Sequence, residues 1–281
     1  MLRPHLQAAL PVLAFVVLLA LAGCQRAAQH PARPKPHRTH ARTTSLDVAT
    51  NGDQYWLQAK EEAYKSVPEL VAQDATELAK GIRFHKIIQG DTAKKDIAIT
   101  FDDGPHPDYT PKLLDILKQY DVKATFFLVG EKAEQAPDLV RAEIAAGHNV
   151  GNHTYHHVNL KKIPEGSVAT EIKACDDVLR HITGKRPHLF RPPGGDYNTK
   201  VVEVAEALGY TTVLWTDDPG DYASPGDKVI ETRVLDRVSN GGIVLIHDGI
   251  QQTIDVLPRM LQRLKARGYR FVTMDQMMGS R

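Results

Sequence analysis

The chain has 281 residues and 42% hydrophobic content, which suits one large globular domain with short appendages. Its formal net charge of +1 lacks the basic surplus of a dedicated nucleic-acid binder, so no nucleic-acid partner is expected.

The first residues read as a targeting signal. Arg3 supplies a positive start, and Leu10 to Ala22 is an apolar run too short to rest comfortably as a permanent bilayer-spanning helix. The run closes on Leu21-Ala22-Gly23-Cys24, which resembles the lipobox of bacterial lipoproteins. That likeness implies removal of residues 1–23, lipidation of Cys24 and attachment to a membrane through the lipid. Gln25 after the cysteine implies outer-membrane sorting if the host is Gram-negative. From residue 24 to about 45 the chain is rich in Pro, Arg, His and Ala with almost no large apolar side chains. Such a stretch cannot bury enough surface to offset chain entropy and is expected to be a disordered basic tether.

Residues 46–90 form a helical N-terminal extension in this reading. Ser66 as N-cap, Pro68 early in a helix and Gly81 just past its end are consistent start and stop signals. The segment is assigned to packing, with no chemistry.

Residues 91–281 alternate strand-like runs with amphipathic helices. Seven strands are expected, at 97–101, 124–129, 149–151, 189–191, 212–215, 243–247 and 270–273. Thr110-Pro111 and Pro137 open helices, and Gly147, Gly209 and Gly268 close them. Between Ser167 and Ile182, the residues Val168, Ile172, Cys175, Leu179 and Ile182 share one helical face, so Cys175 reads as a core residue. With Cys24 lipidated, no intramolecular disulfide is available. The alternation predicts an α/β domain, barrel-like or doubly wound.

Polar residues gather where the strands end. Ile97 to Phe101 runs into Asp102-Asp103-Gly104-Pro105, delivering two carboxylates to a C-terminal strand end, where α/β folds place their chemistry. Neighbours leaving a strand point different ways, so one aspartate can serve a metal and the other a proton. On this stretch alone an ordinary turn explains the residues equally well. His153 and His157 lie four apart and share a face if the chain there is helical, while His156 points elsewhere. With Asp103 they make a two-histidine, one-carboxylate set that leaves metal positions open.

Arg191 sits at a strand end before Pro192-Pro193-Gly194, where an arginine orients a carboxylate and the Gly194 backbone N–H is available to an oxyanion. A structural salt bridge explains that segment equally well. Trp215 leads into Asp217, Asp218 and Asp221, and Leu245-Ile246-His247 brings a third histidine to a strand end. His247 is a candidate general acid, with a carboxylate such as Asp218 to tune it.

Taken in order, Thr100-Phe101-Asp102-Asp103-Gly104-Pro105, His153-Thr154-Tyr155-His156-His157, Arg191-Pro192-Pro193-Gly194, Asp218-Pro219-Gly220-Asp221-Tyr222 and Leu245-Ile246-His247 resemble the five motifs of the polysaccharide deacetylases, carbohydrate esterase family 4. The resemblance spans about Ile97 to Met277. It implies a distorted (β/α) barrel of about seven strands holding a divalent metal, usually zinc. It implies Asp102 as catalytic base and Asp103, His153 and His157 as metal ligands. Arg191 is implied as partner of the base, Gly194 as oxyanion donor, Asp218 as tuning residue and His247 as acid. Leu245, Tyr222 and Pro193 are the implied pocket residues. The sequence departs from the pattern at Tyr222, where tryptophan is usual, and at Gly194, where many members carry a larger residue.

The implied activity is removal of N-acetyl groups from N-acetylglucosamine-type residues of an extracytoplasmic polysaccharide, peptidoglycan first, then chitin-like or poly-N-acetylglucosamine chains. O-deacetylation of xylan-type polymers and non-catalytic glycan binding on the same fold are the alternatives. A monomer is expected.

Overall fold

The computed structural model describes residues 59–61 and 63–279. The expected export signal, Cys24, the expected tether and the expected extension as far as residue 58, with residue 62, lie outside the described residues. Among the described residues no helix is long and apolar enough to cross a membrane.

Eight parallel strands carry the domain: β1 Lys86–Ile87, β2 Asp96–Gly104, β3 Thr125–Leu128, β4 Asn149–Asn152, β5 Leu189–Phe190, β6 Thr211–Val213, β7 Gly242–His247 and β8 Arg270–Phe271. The longer helices are α1 Val67–Ala79, α2 Thr110–Gln119, α3 Gly130–Gln135, α4 Pro137–Ala145, α5 Glu165–Thr183, α6 Thr199–Ala207, α7 Asp227–Arg237, α8 Gln251–Ala266 and α9 Met274–Gly279. The sheet order is β1-β6-β5-β4-β3-β2-β7, with β8 beside β2. The chain beyond β6 closes the circuit. Asp217 bridges Val244, and the Leu245 N–H donates to the Asp217 carbonyl at 2.9 Å. The fold is therefore a distorted α/β barrel.

All seven expected strands are present, with an eighth, β1, inside the 46–90 segment. Two residues are too few to show a period. Within the same segment, α1 begins after Ser66, whose extended backbone and capping box with Glu69 set its start. The helix docks through Leu70, fully buried, and through Lys86, which pairs with Asp74 at 2.8 Å and with Glu77.

β2 shows why a parallel strand reads as an unbroken apolar run, since both of its faces are covered. Ile97, Ile99 and Phe101 pack outward under the helices with Val244 and Ile246. Ala98 joins Ile243, Leu245, Phe127 and Trp215 in the other cluster, which fills the lumen. The register pairs Thr100 with Leu245 and Asp102 with His247, so the period of two carries the lumen-facing rows to Asp102 and His247 at the mouth.

Candidate active site

Asp103 breaks that period. Asp102 pairs with Phe127 and Gly104 with Leu128, so Asp103 is the extra residue of a β-bulge. Its φ of 70° lies in the left-handed region, uncommon for a residue with a side chain. The bulge turns a side chain that should face outward back to the mouth, so adjacent aspartates serve one site. The Lys132 ammonium holds the Asp103 carbonyl at 2.7 Å.

His153 to His157 follow β4 in a bend, not on the helical turn that the spacing suggested, with Thr154 at φ 65° and His157 at φ 56°. Three such residues in one site store about 1–3 kcal/mol each, and the surroundings must over-determine them. They do so in the ligand loop: the Thr154 N–H donates to Asn152 at 2.9 Å, and Glu171 on α5 accepts the N–H groups of Tyr155 and His156 at 3.2 and 3.0 Å. Glu171 also pairs with the His156 ring at 2.8 Å, which turns that histidine away from the site.

Asp103, His153 and His157 each present one ligand atom, all within 4.8 Å of one another. His157 Nε2 lies 3.0 Å and His153 Nε2 3.5 Å from Asp103 Oδ1. All three atoms are buried and none has a hydrogen-bond partner, an expensive arrangement for a protein interior unless a cation satisfies it. His153 Nδ1 lies 2.7 Å from the Arg191 carbonyl, which can only accept, so Nδ1 carries the proton and Nε2 keeps its lone pair. Burial by itself would raise the Asp103 pKa, but His157 and His153 outweigh it and hold the carboxyl well below its ordinary range. The donor set fits a divalent metal with open coordination positions.

Asp102 sits beside this cluster, nearly fully buried. Arg191 donates to its Oδ1 at 2.6 Å through Nη1, which also reaches Thr100 Oγ1 at 2.8 Å. The other guanidinium nitrogens go to the Val213 and Leu214 carbonyls at 3.1 and 3.2 Å, and the group lies 4.1 Å from the Phe127 ring centroid. Arg191 thus grips a single carboxylate oxygen. Oδ2 is turned toward His153 Nε2, 3.6 Å away.

On the neighbouring strand, paired in register with Asp102, His247 ends β7 with a buried and unpartnered Nε2. Its Nδ1 donates to Asp221 Oδ1 at 2.7 Å. Asp218, expected to tune this histidine, accepts the Gly220 N–H at 2.8 Å instead, and burial raises its pKa. The tuning carboxylate is therefore Asp221. A 3-10 turn over Asp221–Ala223, preceded by Gly220 at φ 72°, swings Asp221 inward. Both aspartates stand in the same motif, and sequence carries no signal that selects between them. Burial by itself would lower the His247 pKa, but Asp221, then Asp103 and Asp102, raise it to about 9.

Gly194 lies in the 3-10 turn Pro193–Gly195 with φ 62°, and Pro193 is buried beside it. Leu245 is buried one pleat below His247, while Tyr222 is half-exposed at the rim. Tyr64, to which the sequence assigned no chemistry, also reaches the mouth, with its hydroxyl 3.3 Å from Asp103 Oδ2. No sequence pattern links it to a site 39 residues further on.

A parallel barrel whose mouth gathers a two-histidine, one-carboxylate cluster, a further carboxylate and a protonatable histidine belongs to the class of barrel hydrolases. Residues 89–213 match the family described as polysaccharide deacetylase. A peptidoglycan-N-acetylglucosamine deacetylase of Bacillus cereus is 42% identical over 190 residues, 66% of this chain and 89% of that protein. A solved peptidoglycan N-acetylglucosamine deacetylase, in complex with 4-naphthalen-1-yl-N-oxidanyl-benzamide, superposes with a TM-score of 0.68 at 35% identity, covering 72% of this chain and 95% of that one. A family 4 pseudoenzyme from Bacillus anthracis superposes with a TM-score of 0.67 at 29% identity, covering 70% of each chain. The chain belongs to the polysaccharide deacetylase family, and the B. cereus relative and the first of these solved relatives are named as deacetylases, which are hydrolases.

Proposed function

We propose that this chain hydrolyses the N-acetyl group of N-acetylglucosamine residues in peptidoglycan, using a divalent ion, zinc first, held by Asp103, His153 and His157. The B. cereus relative supports the substrate, since its name specifies that polymer. Because a pseudoenzyme shares the fold, fold alone does not carry an activity. The observation that carries it is the convergence of three unpartnered ligand atoms at the mouth where Asp102 and His247 also stand.

What a bound divalent ion supplies there is Lewis acidity toward the acetyl carbonyl and a lowered pKa for water. Asp102, oriented by Arg191 through Oδ1, accepts the proton of the attacking water on Oδ2 as the C–O bond forms. The Gly194 backbone N–H donates to the developing oxyanion. His247, charged at neutral pH, transfers its Nε2 proton to the sugar nitrogen as the C–N bond breaks, and acetate and a free amine result. Leu245 lines the space for the acetyl methyl, and Pro193 and Tyr222 border it. The lipid on Cys24 would hold the barrel at a membrane facing this polymer.

The test is acetate release by the purified chain, stripped with a chelator and reloaded with zinc, on peptidoglycan, chitooligosaccharides and acetylated xylan. Zinc-dependent release from the N-acetyl substrates is expected. Release from xylan alone would move the activity to ester hydrolysis. Glycan binding without release from any substrate would make the chain a non-catalytic module.

A further inference from the structure

The segment ahead of the barrel is built into the catalytic mouth. Lys60 pairs antiparallel with Val158, the Glu61 N–H donates to the His157 carbonyl at 3.1 Å, and the Asn159 N–H donates to the Ala59 carbonyl at 2.7 Å. Buried Glu61 accepts the Ala63 N–H at 3.0 Å and the Asn159 side-chain amide. On the other flank the Lys65 N–H donates to the Gly194 carbonyl at 2.8 Å. This strap is therefore tied to the ligand loop on one side and to the Pro193–Gly195 turn on the other. A Cβ on Gly194 would stand 2.1 Å from the Ala63 carbonyl oxygen, so the glycine is the condition for the strap to lie there.

Between those two anchors stands Tyr64. Its ring stacks on Tyr222 with centroids 4.1 Å apart and meets His247 edge-on at 4.9 Å. Its hydroxyl makes a long hydrogen bond, 3.3 Å, to Asp103 Oδ2. A carboxylate oxygen only accepts, so the tyrosine is the donor. Occupying Oδ2 leaves Oδ1 as the oxygen that faces the two imidazoles, and it stops the carboxylate rotating about its last torsion. Partners of this kind, one step out from a metal ligand, are worth about 10–100-fold in metal affinity. The ring has a separate use: stacked on Tyr222 it forms an aromatic block beside the acid, and such a block can wall a pocket for the apolar face of a pyranose.

We propose that Tyr64, supplied by the segment N-terminal to the barrel, is an active-site residue whose hydroxyl orients the metal ligand Asp103 and whose ring walls the sugar pocket. The inference rests on the proposed metal-dependent deacetylation, and it gives the strap a role beyond packing.

The two ends of the side chain are tested separately on the full chain. Zinc affinity is measured by competition with a chromophoric chelator, and kcat and KM are measured on chitooligosaccharides at saturating zinc. Tyr64→Phe keeps the ring and loses the hydroxyl, and about 10–100-fold weaker zinc binding with an unchanged KM is expected. Tyr64→Ala should add a rise in KM of about tenfold, from the lost aromatic surface. Thermal melting checks the fold, and should Tyr64→Ala fail to fold, Tyr64→Phe decides alone. Wild-type zinc affinity in Tyr64→Phe overturns the orienting role, and a wild-type KM in a folded Tyr64→Ala overturns the wall. If the unmodified chain binds zinc yet releases no acetate, the proposed activity fails while the affinity arm still judges the hydroxyl. A chain that binds no zinc overturns both.

Discussion

Asp221 holds His247 at two points. Its Oδ1 accepts the ring Nδ1–H at 2.7 Å, and its Oδ2 accepts the His247 backbone N–H at 2.8 Å and the Thr253 hydroxyl at 2.6 Å. The ring is thereby fixed with Nε2 toward the mouth. The charged form is favoured because the adjoining Asp221 carboxylate attracts it strongly enough to outweigh the cost of burial.

From this contact follows a pH dependence. A general acid must carry its proton, so rate falls as pH rises through the pKa of His247, which Asp221 raises above the ordinary imidazole value. Asp221→Asn removes the main raising influence and moves the basic limb of the kcat/KM profile to lower pH by about one unit or more. Asp218→Asn should shift that limb less. Equal shifts in the two variants would return the tuning role to Asp218. For stability the sign runs the same way. The folded pKa lies above the ordinary 6.5, so the pair stabilises the fold fully below that value and loses its contribution as pH rises through about 9.

Asp102 and Asp103 are separable by metal content. Asp102→Asn should retain zinc and lose about 10²–10⁴-fold in rate, the usual worth of a positioned general base. Asparagine is the right probe, because its amide oxygen still accepts from Arg191, whereas an Ala leaves that buried guanidinium with neither counter-charge nor acceptor there, at about 3–5 kcal/mol. Asp103→Asn, like His153→Ala and His157→Ala, should instead lose zinc while the fold persists, since the barrel core does not rest on the ion. Metal analysis of purified variants decides, and loss of zinc in Asp102→Asn with retention in Asp103→Asn would reverse the two roles.

Asp217 carries a cost unrelated to the site. Both of its carboxylate oxygens are buried without a hydrogen-bond partner, and burial, opposed by Arg237 and aided by Asp218, raises its pKa to about 7. The unfolded chain ionises it near 3.8, so the folded state loses stability as pH climbs from there to about 7. In Asp217→Asn this part of the pH dependence should vanish, giving a flatter curve of unfolding free energy across that range. Denaturant titrations at several pH values measure it, and a curve parallel to that of the unmodified chain would refute the burial argument.

Cys24 carries the proposed localisation. Cys24→Ala should give unprocessed precursor or mislocalised protein, because lipidation requires that thiol. Membrane fractionation checks it, and a membrane-bound variant of mature size would defeat the lipid anchor.

What the amino-acid sequence determined by itself is the part of this protein built from local regularities. Apolar runs of strand length, Pro and Gly punctuation and a 3.6-residue period on α5 mark the barrel elements, because each is a preference of the local backbone. Asp102, Asp103, His153, His157, Arg191 and His247 are legible because a barrel brings the ends of its strands together, wherever they stand in the chain. Tertiary structure alone decided the remainder. The two-residue β1 exists only through its pairing with β6. The histidines converge through a bend held by Asn152 and Glu171, which no spacing rule contains. Choosing Asp221 over Asp218 depends on which side chain a short turn swings inward. Tyr64 reaches Asp103 because Gly194 leaves room for the strap, a fit between segments more than a hundred residues apart. Such contacts are settled by packing and backbone hydrogen bonds between distant segments, and they leave no period in the chain.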